Sequence, residues 1–176
     1  VVFSGTPHWC AAINGRLELD DGRLVDEGEV QHLPPCNPTK IICPHGNYKS
    51  RWHEFGGEGE PKEPTYFHKP VSSLNAHGGQ LVRPGGHMYL NYEGELAVVI
   101  GKPTRNISME DAWDHIAGFT VANDAGLQDM RGTDAGSMLR VKGADTLCPI
   151  GPGIVSGVDV RNSTLRTYRN GMIVQE

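Results

Sequence analysis

Met88-Tyr-Leu-Asn-Tyr-Glu-Gly-Glu-Leu-Ala-Val-Val-Ile100, closed by Gly101, is the strongest strand signal in the chain. It decides the fold class, because an apolar run of this kind belongs to a β-sheet and is expected near its centre. Residues two apart on a strand share a face and lie about 6.6 Å apart along its axis. Glu93 and Glu95 therefore point the same way, while Leu96, Val98 and Ile100 are expected to fill the opposite, core-facing side. Gly94 between them has no side chain, so a ligand or another backbone can approach closely. Taken alone, two glutamates on one strand face are most simply solvated.

Working outward, Phe119 to Asn123 reads as a second apolar strand, and Asp124 stands at its end. Between the two strands, Ser108-Met-Glu-Asp111 fits a helix N-cap with acidic first-turn residues. Ala112, Trp113 and Ile116 supply one helix face, and Gly118 marks its end. Leu139 to Val141 reads as extended, which would put Arg140 and Lys142 on one face, by itself a solvated basic one. Upstream, Lys40 to Cys43 is a short β-type run and the segment through Phe55 is compatible with a helix. Gly56 to Pro64 is a loop, and Tyr66-Phe67 opens another strand. Asn14-Gly15 and Asn170-Gly171 are two-residue hairpin signals. Pro34, Pro35 and Pro38 stiffen a connection, each fixing φ and removing a donor. A boundary is placed there, separating a small N-terminal β region, residues 1–38, from a core, residues 39–176. With no βαβ alternation, the expected class is α+β, predominantly β, a mixed β-roll or sandwich with a few short helices.

Composition narrows the function. The chain has 176 residues and a net charge of −5, with 16 Lys and Arg against 21 Asp and Glu. No basic block accompanies the 7% aromatic content, so nucleic acid is not the expected partner. No apolar run approaches a membrane span, and no signal peptide is visible at the first residues. The 23 glycines and 12 prolines never repeat, which fits a turn-rich compact domain. Cys10, Cys36, Cys43 and Cys148 form neither a CxxC nor a regular framework, so free thiols and a cytoplasmic location are expected. The eight histidines show no HxH or HExxH spacing.

If Glu93, Glu95 and Asp124 converge, their mutual repulsion calls for a divalent cation. An all-oxygen set suits Mg²⁺, Mn²⁺ or Ca²⁺ and leaves open positions for a bidentate ligand.

Several motifs occur in one order: Lys40-Ile-Ile-Cys43, Asn47-Tyr48, Pro64-Thr-Tyr-Phe-His-Lys-Pro70, Tyr92-Glu-Gly-Glu-Leu-Ala-Val-Val-Ile-Gly101, Ile116-Ala-Gly-Phe-Thr-Val-Ala-Asn-Asp124, Val141-Lys142, Pro149-Ile-Gly-Pro152 and Asn170-Gly171. From about Lys40 to the last residue, this pattern resembles the fumarylacetoacetate hydrolase family. It is most similar to members acting as 2-hydroxyhepta-2,4-diene-1,7-dioate isomerases or 5-oxopent-3-ene-1,2,5-tricarboxylate decarboxylases in aromatic catabolism. The resemblance implies that Glu93, Glu95 and Asp124 hold Mg²⁺ or Mn²⁺ and that Lys142 sits in the active site. It also implies a homodimer, and a small-molecule substrate bearing a 2-oxo or 2-hydroxy-enoate carboxylate.

The sequence departs from the family in three places. Family hydrolases carry a His and a Glu three apart after the Asn-Tyr pair, forming a water-activating dyad; here Arg51 and Glu54 take those positions. A guanidinium stays protonated and is no base at neutral pH. His53 lies two residues on, about 200° round a helix, so it does not simply substitute. Arg51 could instead pair with Glu54 or clamp a substrate carboxylate. Gln128 stands where relatives often carry Arg, which removes a charged anchor. Relatives also continue past the Asn-Gly hairpin through a Thr-Gly-Thr-Pro segment that nothing after Glu176 matches, so an incomplete core is expected. Tautomerisation needs only proton transfer and tolerates loss of the dyad better than hydrolysis does. The expectation is therefore a metal-dependent isomerase or decarboxylase, with Lys142 and either Glu54 or His53 as proton carriers and Arg51 and Gln128 on the substrate. Carbon–carbon hydrolysis ranks second. A metal- or ligand-binding relative without a working relay is the competing class, and a plain β-rich domain without a metal is the third.

Overall fold

A computed structural model describes residues 1–176. The chain is mostly β, with 35% of residues in strands and two short α-helices, and its sheets remain open rather than closing into a barrel. No helix is long and apolar enough to cross a membrane.

The first residues make small antiparallel units. β1 (Val2–Phe3) pairs with β2 (Thr6–Pro7), and β3 (Cys10–Ile13), β4 (Arg16–Leu19) and β5 (Leu24–Val25) form a three-stranded sheet. Asn14 and Gly15 both adopt positive φ, 50° and 80°, as the two-residue turn between β3 and β4 requires. Leu19 and Val25 are the buried side chains of this sheet. β6 (Ile41–His45) pairs antiparallel with β7 (Thr65–Lys69), and α1 (Lys49–Glu54) lies in the excursion between them.

The main sheet runs β10 (Gly94–Ile100), β11 (Ile116–Asn123), β13 (Cys148–Val155), β8 (Leu74–Ala76). The first two pairings are antiparallel, and β13 with β8 is parallel. A second ribbon pairs β9 (Leu90–Asn91) with β12 (Gly126–Leu127). Next along the chain comes α2 (Leu139–Lys142), packed against β7 and β12. The last hairpin, β14 (Thr167–Arg169) and β15 (Met172–Gln175), turns through Asn170 and Gly171 at φ 51° and 79°.

Three local expectations are corrected. The strand expected over 88–100 is two strands, interrupted at Tyr92-Glu93, and β10 is an edge of its sheet. Leu96, Val98 and Ile100 are 41%, 48% and 57% exposed, whereas Ala97 and Val99 on the Glu95 side are partly buried. Alternation fixed which residues share a face, but not which face the rest of the chain covers. The helix expected from Ser108 shrinks to one 3₁₀ turn, Ala112–His115, with Ser108 Oγ accepting from the Asp111 N–H. Ile116 and Gly118 are already in β11, since pairing with β10 outweighs a marginal single-turn helix. Leu139–Lys142 is helical rather than extended, so Arg140 and Lys142 do not share a strand face. Asp134 causes this: its carboxylate accepts from the N–H groups of Arg140 and Val141, satisfying the start of the helix.

Two small apolar clusters include side chains from the segment 124–142. Phe67, Met138 and Val141 form one; Ala125, Leu127 and Leu147 form the other. Yet the largest of the most deeply buried side chains are Lys69 and Lys142. Buried ammonium groups need carboxylate partners, and those partners define the site.

Candidate active site

Asp124 is 8% exposed and receives both lysines. Lys69 Nζ donates to its Oδ1 at 2.7 Å and to the Ala125 carbonyl at 3.2 Å. Lys142 Nζ lies 2.9 Å from Oδ2 and donates to the Asp124 carbonyl at 2.7 Å. The same ammonium contacts Glu93 Oε2 at 2.9 Å. Local geometry explains the meeting. Asp124 follows β11 directly, its N–H donating to the Glu93 carbonyl at 2.8 Å, so the ladder sets Asp124 beside Glu93. α2 directs Lys142 toward them, with its methylenes against Gly126.

Glu93, Glu95, Asp124 and Lys142 line one cavity of about 310 Å³, together with Arg51, Gln128, Arg131, His45, Asn47 and Tyr48. Burial, followed by the nearby charges of Asp124 and Glu93, pushes the Glu95 carboxyl from 4.5 up to about 7. In the metal-free protein this raised value has a sign. The penalty on charged Glu95 is absent below the unfolded value near 4.5 and grows as pH rises through 7. Stability is expected to fall over that window by on the order of 1 kcal/mol, a figure reduced for solvent screening of a half-exposed group. Glu95→Gln should flatten the profile of urea midpoint against pH; an unaltered profile would exclude this cause.

The donor set suits a hard divalent cation: three crowded carboxylates, all oxygen, in one cavity. As folded, however, no three acidic, His or Cys side chains make a ready-made metal cluster, and the Lys142 ammonium contacts both Glu93 and Asp124. Gathering a cation there requires Glu93 and Asp124 to turn from the Lys142 ammonium, with Lys69 still on the other Asp124 oxygen.

Among the other predicted residues, Arg51 and Gln128 line the cavity. Glu54 and His53 do not. Glu54 is ion-paired with Arg51 through one turn of α1, and the His53 Nε2 pairs with the Gly59 carbonyl at 3.0 Å. A positive charge nonetheless stands on this wall of the cavity: Arg131, at the C-cap of the 3₁₀ turn Gln128–Met130, also lines it. Arg51 and Arg131 both lie over the Phe55 ring, 4.6 and 5.1 Å from its centroid. Lys69 also escaped the sequence reading. The available signal was strand alternation, since Lys69 shares the inward face of β7 with Phe67.

The four cysteines are unpaired, and burial pushes the Cys43 thiol up to about 12. It is not a nucleophile for this cavity.

Residues 40–176 match the family described as fumarylacetoacetate (FAA) hydrolase C-terminal. A homoprotocatechuate catabolism bifunctional isomerase/decarboxylase from Escherichia coli is 42% identical over 163 residues, covering 87% of this chain and 38% of the relative. A 5-carboxymethyl-2-hydroxymuconate delta-isomerase from Mycobacterium smegmatis superposes with a TM-score of 0.78 at 32% identity, over 90% of this chain and 60% of that one. A fumarylpyruvate hydrolase from Pseudomonas aeruginosa, solved with Mn²⁺ and pyruvate, superposes at 0.57 and 30% identity, over 67% and 54%. The chain spans 62% and 65% of the length of two archaeal relatives that it also matches, from Methanocaldococcus jannaschii and Archaeoglobus fulgidus.

Proposed function

Because this chain belongs to the fumarylacetoacetate hydrolase family, we propose that it is a divalent-metal-dependent isomerase or decarboxylase of a small unsaturated 2-oxo di- or tricarboxylic acid. The observation that carries the reading is one cavity holding three carboxylates, a buried lysine and two arginines. Glu93, Glu95 and Asp124 would hold Mg²⁺ or Mn²⁺, which when bound supplies Lewis acidity toward a carboxylate and its adjacent 2-oxygen. Both metals fit an all-oxygen set, and the Mn²⁺ in the Pseudomonas hydrolase supports the choice of class.

The chain's own residues do the rest. Arg51 and Arg131 carry positive charge at the wall of the cavity and suit a second carboxylate of the substrate, each through a forked pair of donors. The Phe55 ring lies within 4.6 and 5.1 Å of the two guanidinium carbons and gives both a cation–π contact. Gln128 offers a neutral donor and acceptor to an oxygen without a full charge. Lys142 is the buried group that neutralises charge developing at the reacting oxygen and moves the proton of tautomerisation. Its Nζ contacts Glu93 and Asp124, so a proton and a positive charge are held beside two of the carboxylates that would carry the metal.

Hydrolysis needs an activated water as well. The position that would carry its histidine holds Arg51, and Glu54 is engaged with that arginine. Isomerisation or decarboxylation is therefore ranked ahead of carbon–carbon cleavage. Given Mg²⁺ and a 2-hydroxy-2,4-dienoate diacid, the chain is expected to shift the diene absorbance; rapid cleavage of an acylpyruvate without isomerisation would reverse the ranking. A second reading, a binding protein without turnover, has its own observation: Lys142 bridges two of the three carboxylates and neutralises them without a metal. Mn²⁺ uptake with no turnover of either substrate would favour it. The homodimer belongs to the same proposal, supported by the exposed row Leu96, Val98 and Ile100, and sedimentation equilibrium tests it.

A further inference from the structure

The backbone that carries two of the carboxylates is gripped by a side chain of the last hairpin, and we propose that Gln175 is a positioning residue for the start of β10, Glu93-Gly94-Glu95. Glu93 faces β11: its carbonyl accepts from Asp124, and its N–H donates to Asn123 Oδ1 at 3.0 Å. Alternation along an antiparallel strand then turns the Gly94 N–H and carbonyl outward, to the open edge of the sheet. An open edge leaves such groups unpaired.

Here the side-chain amide of Gln175 takes both. The Gly94 N–H donates to Gln175 Oε1 at 2.8 Å, and Gln175 Nε2 donates to the Gly94 carbonyl at 2.8 Å. One carboxamide, with one acceptor and one donor side by side, does what a neighbouring strand would do for a single residue. Thr167 Oγ1 donates to the same Oε1 at 3.1 Å, which fixes the orientation of the amide. The fit excludes any side chain at 94, because a Cβ there would meet Thr167 Oγ1 at 2.2 Å.

The consequence reaches the cavity. Glu93 and Glu95 join the two ends of the Gly94 residue, so rotation of its peptides swings both carboxylates. Holding Gly94 from the outer edge while β11 holds Glu93 from the inner one leaves the pair little freedom to splay. The clamp is thus a second layer of orientation for residues that hold a cation, a layer whose loss typically costs 10- to 100-fold in metal affinity. This inference rests on the proposal that those carboxylates bind a divalent ion.

Three variants of the full chain test it: Gln175→Ala, Thr167→Val, and Arg166→Gln, which breaks the 2.9 Å Arg166–Glu176 ion pair of the same hairpin without touching Gly94. Calorimetry reads Mn²⁺ affinity, and amide exchange in metal-free protein reads Gly94. Gln175→Ala is expected to weaken Mn²⁺ about 10- to 100-fold and to expose the Gly94 amide. Thr167→Val should give a smaller loss in the same direction, and Arg166→Gln should change neither. Wild-type Mn²⁺ binding with unchanged affinity in Gln175→Ala overturns the clamp alone; absence of Mn²⁺ binding by the wild type overturns the metal reading as well. Should Gln175→Ala fail to fold, Thr167→Val decides, and unchanged affinity there overturns the proposal. An equal loss in Arg166→Gln would also overturn it, by showing that any damage to the hairpin suffices.

Discussion

Asp124→Ala should lower the free energy of unfolding of the metal-free protein by about 3–5 kcal/mol, the cost of breaking a buried ion pair by removing one partner. The reason is the asymmetry of what remains. Lys69 is 2% exposed, and Asp124 is its single carboxylate partner. Without it the ammonium keeps only the Ala125 carbonyl at 3.2 Å. Lys142 is equally buried but retains Glu93 at 2.9 Å, so it suffers less. Asp124→Asn keeps the volume and should still destabilise, since the charge is what the lysines require. Glu93→Gln should cost less, because Lys142 then keeps Asp124. Pairing Asp124→Leu with Lys69→Met should recover much of the loss, as apolar replacement of both partners often does. Urea unfolding of the four variants measures this. A loss for Asp124→Ala below about 1 kcal/mol, the range of an exposed pair, would show that the lysines reach water and that this centre does not organise the fold.

Lys142→Met separates chemistry from metal binding, and the two readouts should not fall together. Turnover is expected to fall by roughly 10²- to 10⁴-fold, the usual contribution of a positioned proton carrier. Mn²⁺ affinity should hold or rise. The ammonium contacts both Glu93 Oε2 and Asp124 Oδ2 at 2.9 Å, so it competes for the oxygens a cation would use. Removing it frees Glu93 Oε2 and Asp124 Oδ2, while Lys69 keeps Asp124 Oδ1, and a cation entering there relieves the added repulsion among the three carboxylates. Methionine keeps the length of the side chain against Gly126, which limits collapse of the cavity. If affinity and turnover fall together, Lys142 is a strut for the carboxylates, and the proton must be carried elsewhere. Arg131→Ala, measured alongside, should raise KM for a diacid while sparing Mn²⁺ binding.

Glu93, Glu95, Asp124 and Lys142 were legible as a group, because two strand periods, one strand end and a set of ordered motifs pointed to them. The turns at Asn14-Gly15 and Asn170-Gly171 were legible too, for each needs positive φ at two successive residues. Lys142 as a helical residue was not legible. Its short helix depends on Asp134 and on Met138 at φ 60°, a combination with no periodic signature over four residues. Gln175 was hidden for a different reason: it lies 81 residues from Gly94, and sequence spacing carries no trace of a contact made only by the fold. Arg131 carries no sequence signal of its own, because only the 3₁₀ turn Gln128–Met130 brings its C-cap residue round to the wall that Gln128 lines.

The chain order of apolar runs, glycines and acidic residues by itself determined a β-dominated fold, its main hairpins, and which carboxylates could meet. Only the tertiary structure decided that Leu96, Val98 and Ile100 lie open, that β10 is an edge, and that two lysines enter the interior to meet Asp124. Periodicity records which side chains share a face, a property of the local backbone. Which face is covered, and which charges are buried together, depends on segments distant in sequence, and burial is what gives those charges their strength.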